Sequence, residues 1–231
     1  MFSCKKAEDR GCLKSTGKMT ELTYSIDSVQ EFKLYKGIVY RFYQDDRREV
    51  IIKGGKNVIK FINIESINYV TAIRNLNSCD FLRDYDDKIT VEIHYPHYNN
   101  IYAEPTEPML FVDTLKGDFT NIELRNGGES LDLNVDIKII QLSVSYGTGS
   151  ININGKANLA KLGIQNLGRI NALNLSAPNV SIYQGSATDL LVNFENSNVS
   201  VGFNGSGDVR YVGTPNSLNI FGQGDGEVIT Y

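Results

Sequence analysis

Short runs of alternating apolar and polar residues, cut repeatedly by glycine and asparagine, fill the chain from about Gly127 to Tyr231. Ile151 to Ile153, Val180 to Ile182, Val199 to Val201 and Leu218 to Ile220 are written in one style. An apolar residue at every second position is the mark of a strand with one buried face. The glycines at 127, 147, 168, 185, 205 and 224 recur roughly every 20 residues, a period that points to stacked supersecondary units. Their place between the runs makes them corners, where glycine and asparagine tolerate a left-handed backbone.

The first half is also strand-like but less regular. Phe32 to Leu34, Ile38 to Phe42, Val50 to Ile52, Val58 to Ile62, Ile67 to Ile73 and Ile89 to Ile93 are rich in β-branched and aromatic residues. Gln44 to Arg48 and the pair Gly54 and Gly55 read as turns. Pro96, Pro105 and Pro108 mark a looser middle. Ala157 to Leu162 is the best helical stretch and is too short to stand alone. The pattern predicts an all-β fold. A parallel β-helix fits the short strands and the 20-residue period best, with a β-sandwich as the alternative. In a β-helix, asparagines at equivalent corners would form hydrogen-bonded ladders.

The chain has 231 residues and a net charge of -4. That charge argues against nucleic acid, which calls for a basic stripe. Residues 1 to 18 read as an N-terminal tether and residues 19 to 231 as one domain. Met1, Phe2, Ser3 and Cys4 have the form of the end of a bacterial lipoprotein signal, which makes Cys4 a candidate lipid anchor. Three cysteines are an odd number. If Cys4 carries lipid, Cys12 and Cys79 are left as a pair, and in an exported protein they would form a disulfide contributing roughly 4 kcal/mol. The competing reading is three free thiols in a cytosolic protein.

Several segments in order carry a family resemblance. They are Cys12 to Gly17, Gly54 to Val58, Asn77 to Cys79 with Leu82 to Tyr85, and Gly205 to Tyr211 with Gly213 to Asn216. With these the chain resembles the auto-transporter adhesin head GIN domain family of exported Bacteroidetes-type proteins. The resemblance implies a single-stranded, right-handed parallel β-helix. It also strengthens the expectation of a lipidated Cys4 and a Cys12–Cys79 bridge.

Chemistry-bearing clusters are few. His94 and His97 are the only histidines and, three apart, would point to opposite faces of a strand, so ordinary surface or loop positions are expected and no metal. Arg83, Asp84, Asp86 and Asp87 read as a solvated turn. Gly222 to Gly226 is a single copy of a calcium-repeat-like segment and reads as a corner. Arg47, Arg48, Lys53, Lys56 and Lys60 read as a charged solvent face. Tyr95, His97, Tyr98 and Tyr102 form the candidate contact surface, because aromatic rings offer contact area at low entropic cost. No cofactor is expected. The expected function is a non-catalytic, lipid-anchored envelope protein that binds a glycan or protein ligand. It would sit at the outer membrane, facing the periplasm or the cell surface. The alternatives are a carbohydrate-active β-helix enzyme and a structural part of the envelope.

Overall fold

The computed structural model describes residues 15 to 77 and 88 to 231. Cys4, Cys12 and Cys79, with the Arg83 to Asp87 cluster, lie outside the described residues. The fold is a β-solenoid of about 7 turns, with 63% of residues in strands and 2% in helix. The 19 strands of the described residues form one sheet that winds around a single apolar core.

The regular half follows directly from the sequence pattern. Strands β10 (Leu115–Arg125), β11 (Ser130–Ser145) and β12 (Ser150–Asn166) are long and bend from one wall of the solenoid to the other. In β11 the buried residues are Leu131, Leu133, Val135 and Ile137, then Ile140, Leu142 and Val144. The alternation skips one position between Ile137 and Ile140, which marks the bend. Later coils use separate strands. β13 (Arg169–Ser176), β15 (Leu190–Asn193), β17 (Val209–Val212) and β19 (Val228–Thr230) continue the first wall. β14 (Asn179–Ser186), β16 (Asn198–Phe203) and β18 (Ser217–Gly222) continue the second.

Neighbouring coils pair in parallel, so equivalent residues stack in columns. Ile140, Ala160, Val180, Val199 and Leu218 form one column; Leu142, Leu162, Ile182, Val201 and Ile220 form the next. Ala157 to Leu162 lies within β12 and is strand. Corners stack as well. Asn126, Tyr146 and Asn166 all have φ near +55° at matching positions. Gly205 lies so close to the Ser186 backbone, and Gly224 to the Gly205 backbone, that a side chain would collide with the coil below. No extended asparagine ladder is seen among the described residues, but a stacked pair is, with Asn174 Nδ2 donating to Asn154 Oδ1 at 3.1 Å. It lies on strands, not at corners.

The N-terminal half departs from chain order. β2 (Glu31–Leu34) and β3 (Val39–Tyr43) pair on one side with β8 (Asn100–Ala103) and β9 (Met109–Phe111), as in Phe32 with Ile101. On the other side they pair with β6 (Val70–Asn75) and β7 (Thr90–His94). The first coil of the chain is therefore the second of the stack. Between β3 and β8 the chain travels to the solenoid's end, builds a further coil there and returns. It closes that end with antiparallel strands. β4 (Glu49–Gly55) lies on β7, β1 (Met19–Ser25) on β4, and β5 (Ile62–Ile67) on β6.

Two local expectations fail in this region. Ile67 to Ile73 is not one strand, because Asn68 and Tyr69, both at positive φ, form the two-residue turn of the β5–β6 hairpin. Val58 begins no strand; the short helix α1 (Lys56–Ile59) caps the core there. Gly54 and Gly55 end β4, and Gly55 is pressed against the Thr16 backbone. Asn57 N–H donates to Thr16 O at 2.9 Å and Asn57 Nδ2 to Ser15 O at 3.0 Å. This segment latches the start of the described chain onto the closed end.

Candidate functional site

The outward positions of the second wall make a broad hollow on the solenoid's regular half. By register, Tyr102, Glu123, Ser143, Gly163, Tyr183, Gly202 and Phe221 form a single column across successive coils. Two small residues, Ser143 and Gly163, lie between the larger Glu123 and Tyr183. Ser143 and Gly163 form a low floor, while Tyr183 rises on one side and Arg125, Glu123 and Tyr146 on the other. The result is an open cleft of about 480 Å³, also lined by Gln141, Ser145, Lys161, Gln165 and Ser181. The rings lie over glycines: Phe221 over Gly202 and Tyr183 over Gly185, where a side chain would meet ring carbons at 2.9 and 2.8 Å.

Electrostatics fix one rim. Glu123 Oε1 accepts from Arg125 Nε at 3.0 Å and from Ser145 Oγ at 2.8 Å. The Arg125 guanidinium sits 5.8 Å from the Tyr102 ring centre and 5.3 Å from that of Tyr146, within cation–π range. Tyr102 donates to Glu104 Oε1 at 2.5 Å; partial burial and this carboxylate push its phenol up to about 12. Tyr146 is 57% exposed although its backbone is left-handed, a conformation that its stacked neighbours Asn126 and Asn166 adopt at little cost. Lys161 has no acidic partner among the described residues. The cleft thus offers three ring surfaces, of Tyr146, Tyr183 and Phe221, with amide and hydroxyl donors and acceptors and a cation. Glu123 is its single carboxylate, whereas glycoside hydrolysis generally uses two.

The structure separates the four residues of the expected contact surface. Tyr95 and Tyr98 turn inward and are 4% and 2% exposed, so they present no ring to a ligand. With Phe32, Phe42 and Phe111 they form an aromatic core, in which Tyr98 lies edge-on to Phe42 at 5.6 Å and Tyr95 edge-on to Phe32 at 5.5 Å. Their hydroxyls are satisfied by backbone. Val29 N–H donates to Tyr95, and Tyr98 donates to Ile93 O at 2.7 Å. Burial pushes the Tyr98 phenol strongly up. His97 is exposed, away from this packing. Tyr102 alone lies on the wall that carries the cleft. Tyr146, Tyr183 and Arg125 escaped the sequence reading because they lie far apart in the chain, on separate coils. The one available signal was a tyrosine before Gly147 where the corner pattern favours asparagine.

His94 is not at the surface. It is 3% exposed, stacks on Tyr43 at 4.5 Å and places Nδ1 2.8 Å from Asp45 Oδ2. Arg47 Nη2 approaches the same nitrogen at 2.5 Å, so Nδ1 sits between a carboxylate and a guanidinium. Partial burial opposes ionisation of Asp45, but hydrogen bonds from Arg47 and His94 outweigh it and hold the carboxyl down at about 2. Among the described residues no group of three or more His, Cys, Asp or Glu is placed to hold a metal. Two residues of the expected basic face are offset: Arg47 pairs with Asp45 and Glu49, and Lys53 with Glu92 at 2.7 Å. No helix among the described residues is long and apolar enough to cross a membrane.

The family model described as "Putative auto-transporter adhesin, head GIN domain" matches residues 29–215. A crystal structure titled as a putative adhesin from Bacteroides fragilis superposes with a TM-score of 0.79 at 20% identity, covering 93% of this chain and 97% of that one. One from Parabacteroides merdae, also titled as a putative adhesin, gives 0.67 at 19% identity, covering 94% and 98%. A protein from Parabacteroides distasonis titled as a putative lipid binding protein gives 0.65 at 13% identity, covering 94% and 98%. At these identities the likeness extends to the fold. The comparison with curated proteins finds no match.

Proposed function

Given that this chain belongs to the auto-transporter adhesin head GIN domain family, we propose that it is an exported, non-catalytic binding domain. Its ligand surface is the cleft between Tyr146 and Tyr183. The observation that carries this reading is Tyr146, an exposed ring held on a left-handed corner beside Arg125. Backbone strain of this kind persists where the surroundings enforce it, often at ligand sites. Ring faces flanked by amides and hydroxyls suit a glycan, whose sugars stack on tyrosine and exchange hydrogen bonds with Gln141 and Gln165. A glycan and envelope-protein binding array tests it. Tyr183→Ala and Arg125→Ala should each weaken the captured ligand by about tenfold or more, while Tyr69→Ala, far from the cleft, leaves it unchanged. Retention of full binding by both cleft variants would refute the assignment.

Anchoring belongs to the same proposal. Cys4 carries lipid, Cys12 and Cys79 form a disulfide, and the protein stands at the outer membrane. The latch of Ser15 and Thr16 on Asn57 supports this, because a tether would then leave from the closed end, with the cleft well along the solenoid. Metabolic labelling with a clickable fatty acid should mark the protein expressed from its gene and should fail for Cys4→Ala. Two free thiols at Cys12 and Cys79 in protein purified without reductant would remove the bridge.

A further inference from the structure

The two ends of the solenoid are finished differently. At the N-terminal end β4, β1 and β5 lie antiparallel across the last coil, and Val50 and Ile52 of β4 are fully buried. At the other end the core columns stop in the open. Val199 and Val201 are 4% and 0% exposed, but Leu218 and Ile220, the next residues of the same columns, are 38% and 51% exposed. Phe221 and Tyr231 add 57% and 68% exposure nearby. Among residues 15 to 77 and 88 to 231 nothing stacks on this coil. β18 pairs only with β16, and β19 only with β17. Both strands therefore present a row of unpaired backbone donors and acceptors beside uncovered apolar side chains.

Natural edge strands are usually protected by charge, proline or a bulge. β18 reads Ser217, Leu218, Asn219, Ile220, Phe221, Gly222, and β19 reads Val228, Ile229, Thr230. Neither strand holds a charged residue or a proline, although the chain as a whole carries a net charge of -4. We propose that this end is closed by a second copy of the chain, joined end to end through β18 in an antiparallel pairing about a two-fold axis.

Three observations favour a second copy. First, the molecule already shows which strand direction finishes this solenoid, since β4 and β5 both close the other end by antiparallel addition to a parallel wall. A two-fold partner presents its own β18 in that direction. Second, the pairing is self-complementary. An antiparallel register centred on Asn219 sets Leu218 of one copy against Ile220 of the other, and Ile220 against Leu218, with no charge to repel. Third, a head-to-tail stack is disfavoured because the N-terminal end is occupied by the chain's own strands, with Glu21 on β1 and Glu65 on β5. The contact is therefore isologous and closes at two copies instead of growing into a filament.

Sedimentation and light scattering of the full chain in reductant test this. The mass should rise from 25.7 kDa toward twice that value across the micromolar range. Ile220→Asp should weaken the association by about 100-fold or more, and Ile67→Asp at the closed end should leave it unchanged. Hydrogen exchange supplies a measurement that needs no variant: the amides of β18 should exchange more slowly as concentration rises. A chain that stays monomeric, an Ile220→Asp variant that still pairs, or β18 exchange independent of concentration would each overturn the proposal.

Discussion

Tyr146 and Gly205 show how single residues are chosen by their place in the stack. At the Tyr146 corner, Asn126 and Asn166 hold the same left-handed backbone above and below, and asparagine adopts it more readily than tyrosine. Tyr146→Asn should therefore raise stability by about 0.5–1 kcal/mol in urea unfolding while lowering ligand capture. Gly205 has no such freedom. Its missing side chain leaves room for the Ser186 carbonyl, so Gly205→Ala should cost about 1–3 kcal/mol, whereas Gly128→Ala, with only Thr148 Oγ1 at 3.3 Å, should cost less. The glycine spacing was legible in the sequence because this steric demand repeats with each coil. The inward turn of Tyr95 and Tyr98 was not, since Pro96 to Asn99 form an irregular corner that no period describes. Asp45 adds a pH dependence. Its folded pKa of about 2 lies below the usual 3.8, so its contribution is fully present above about pH 4. It is lost as pH falls through 2. The stability gap between the wild type and Asp45→Asn should shrink over that interval in urea titrations.

Strands in this fold are stabilised by columns, and position within a column sets the cost of a change. Leu162 sits between Leu142 and Ile182 and is 2% exposed. Leu162→Ala should cost about 2–5 kcal/mol, as expected where a cavity cannot collapse. Ile220→Ala, at the open end and measured at dilution, should cost clearly less. Comparing the two by urea midpoints checks whether the column governs stability. Alternation along β11, β12, β14 and β16 made these elements readable from the chain, because one face of each is core. Hairpin β5–β6 and helix α1 were misread for the opposite reason. They belong to the cap, where one copy of each feature exists and an apolar run is as compatible with a turn or a helix as with a strand.

Across the whole molecule the two halves should respond differently to truncation. Removing residues 217 to 231 moves the open end back by one coil, onto Val199, Val201 and Val209, and circular dichroism should still report a folded β-protein with a lowered Tm. Removing β1 to β4 takes out a coil that others stack on from both sides, and the chain should lose cooperative unfolding. The sequence pointed to a continuous solenoid but gave no sign that its coils are stacked out of chain order, because pairing between β2 and β8 leaves no periodic mark. That order has a mechanical consequence. An ordinary solenoid pulled by its first residue peels away coil by coil. Here the first coil is held between two others, and one closing strand, β1, lies ahead of it in the chain. A pull from the N-terminus must first shear β1 from β4, and it cannot then free β2 without parting it from both β6 and β8. Load applied at the N-terminus is thus spread over strands far apart in the chain.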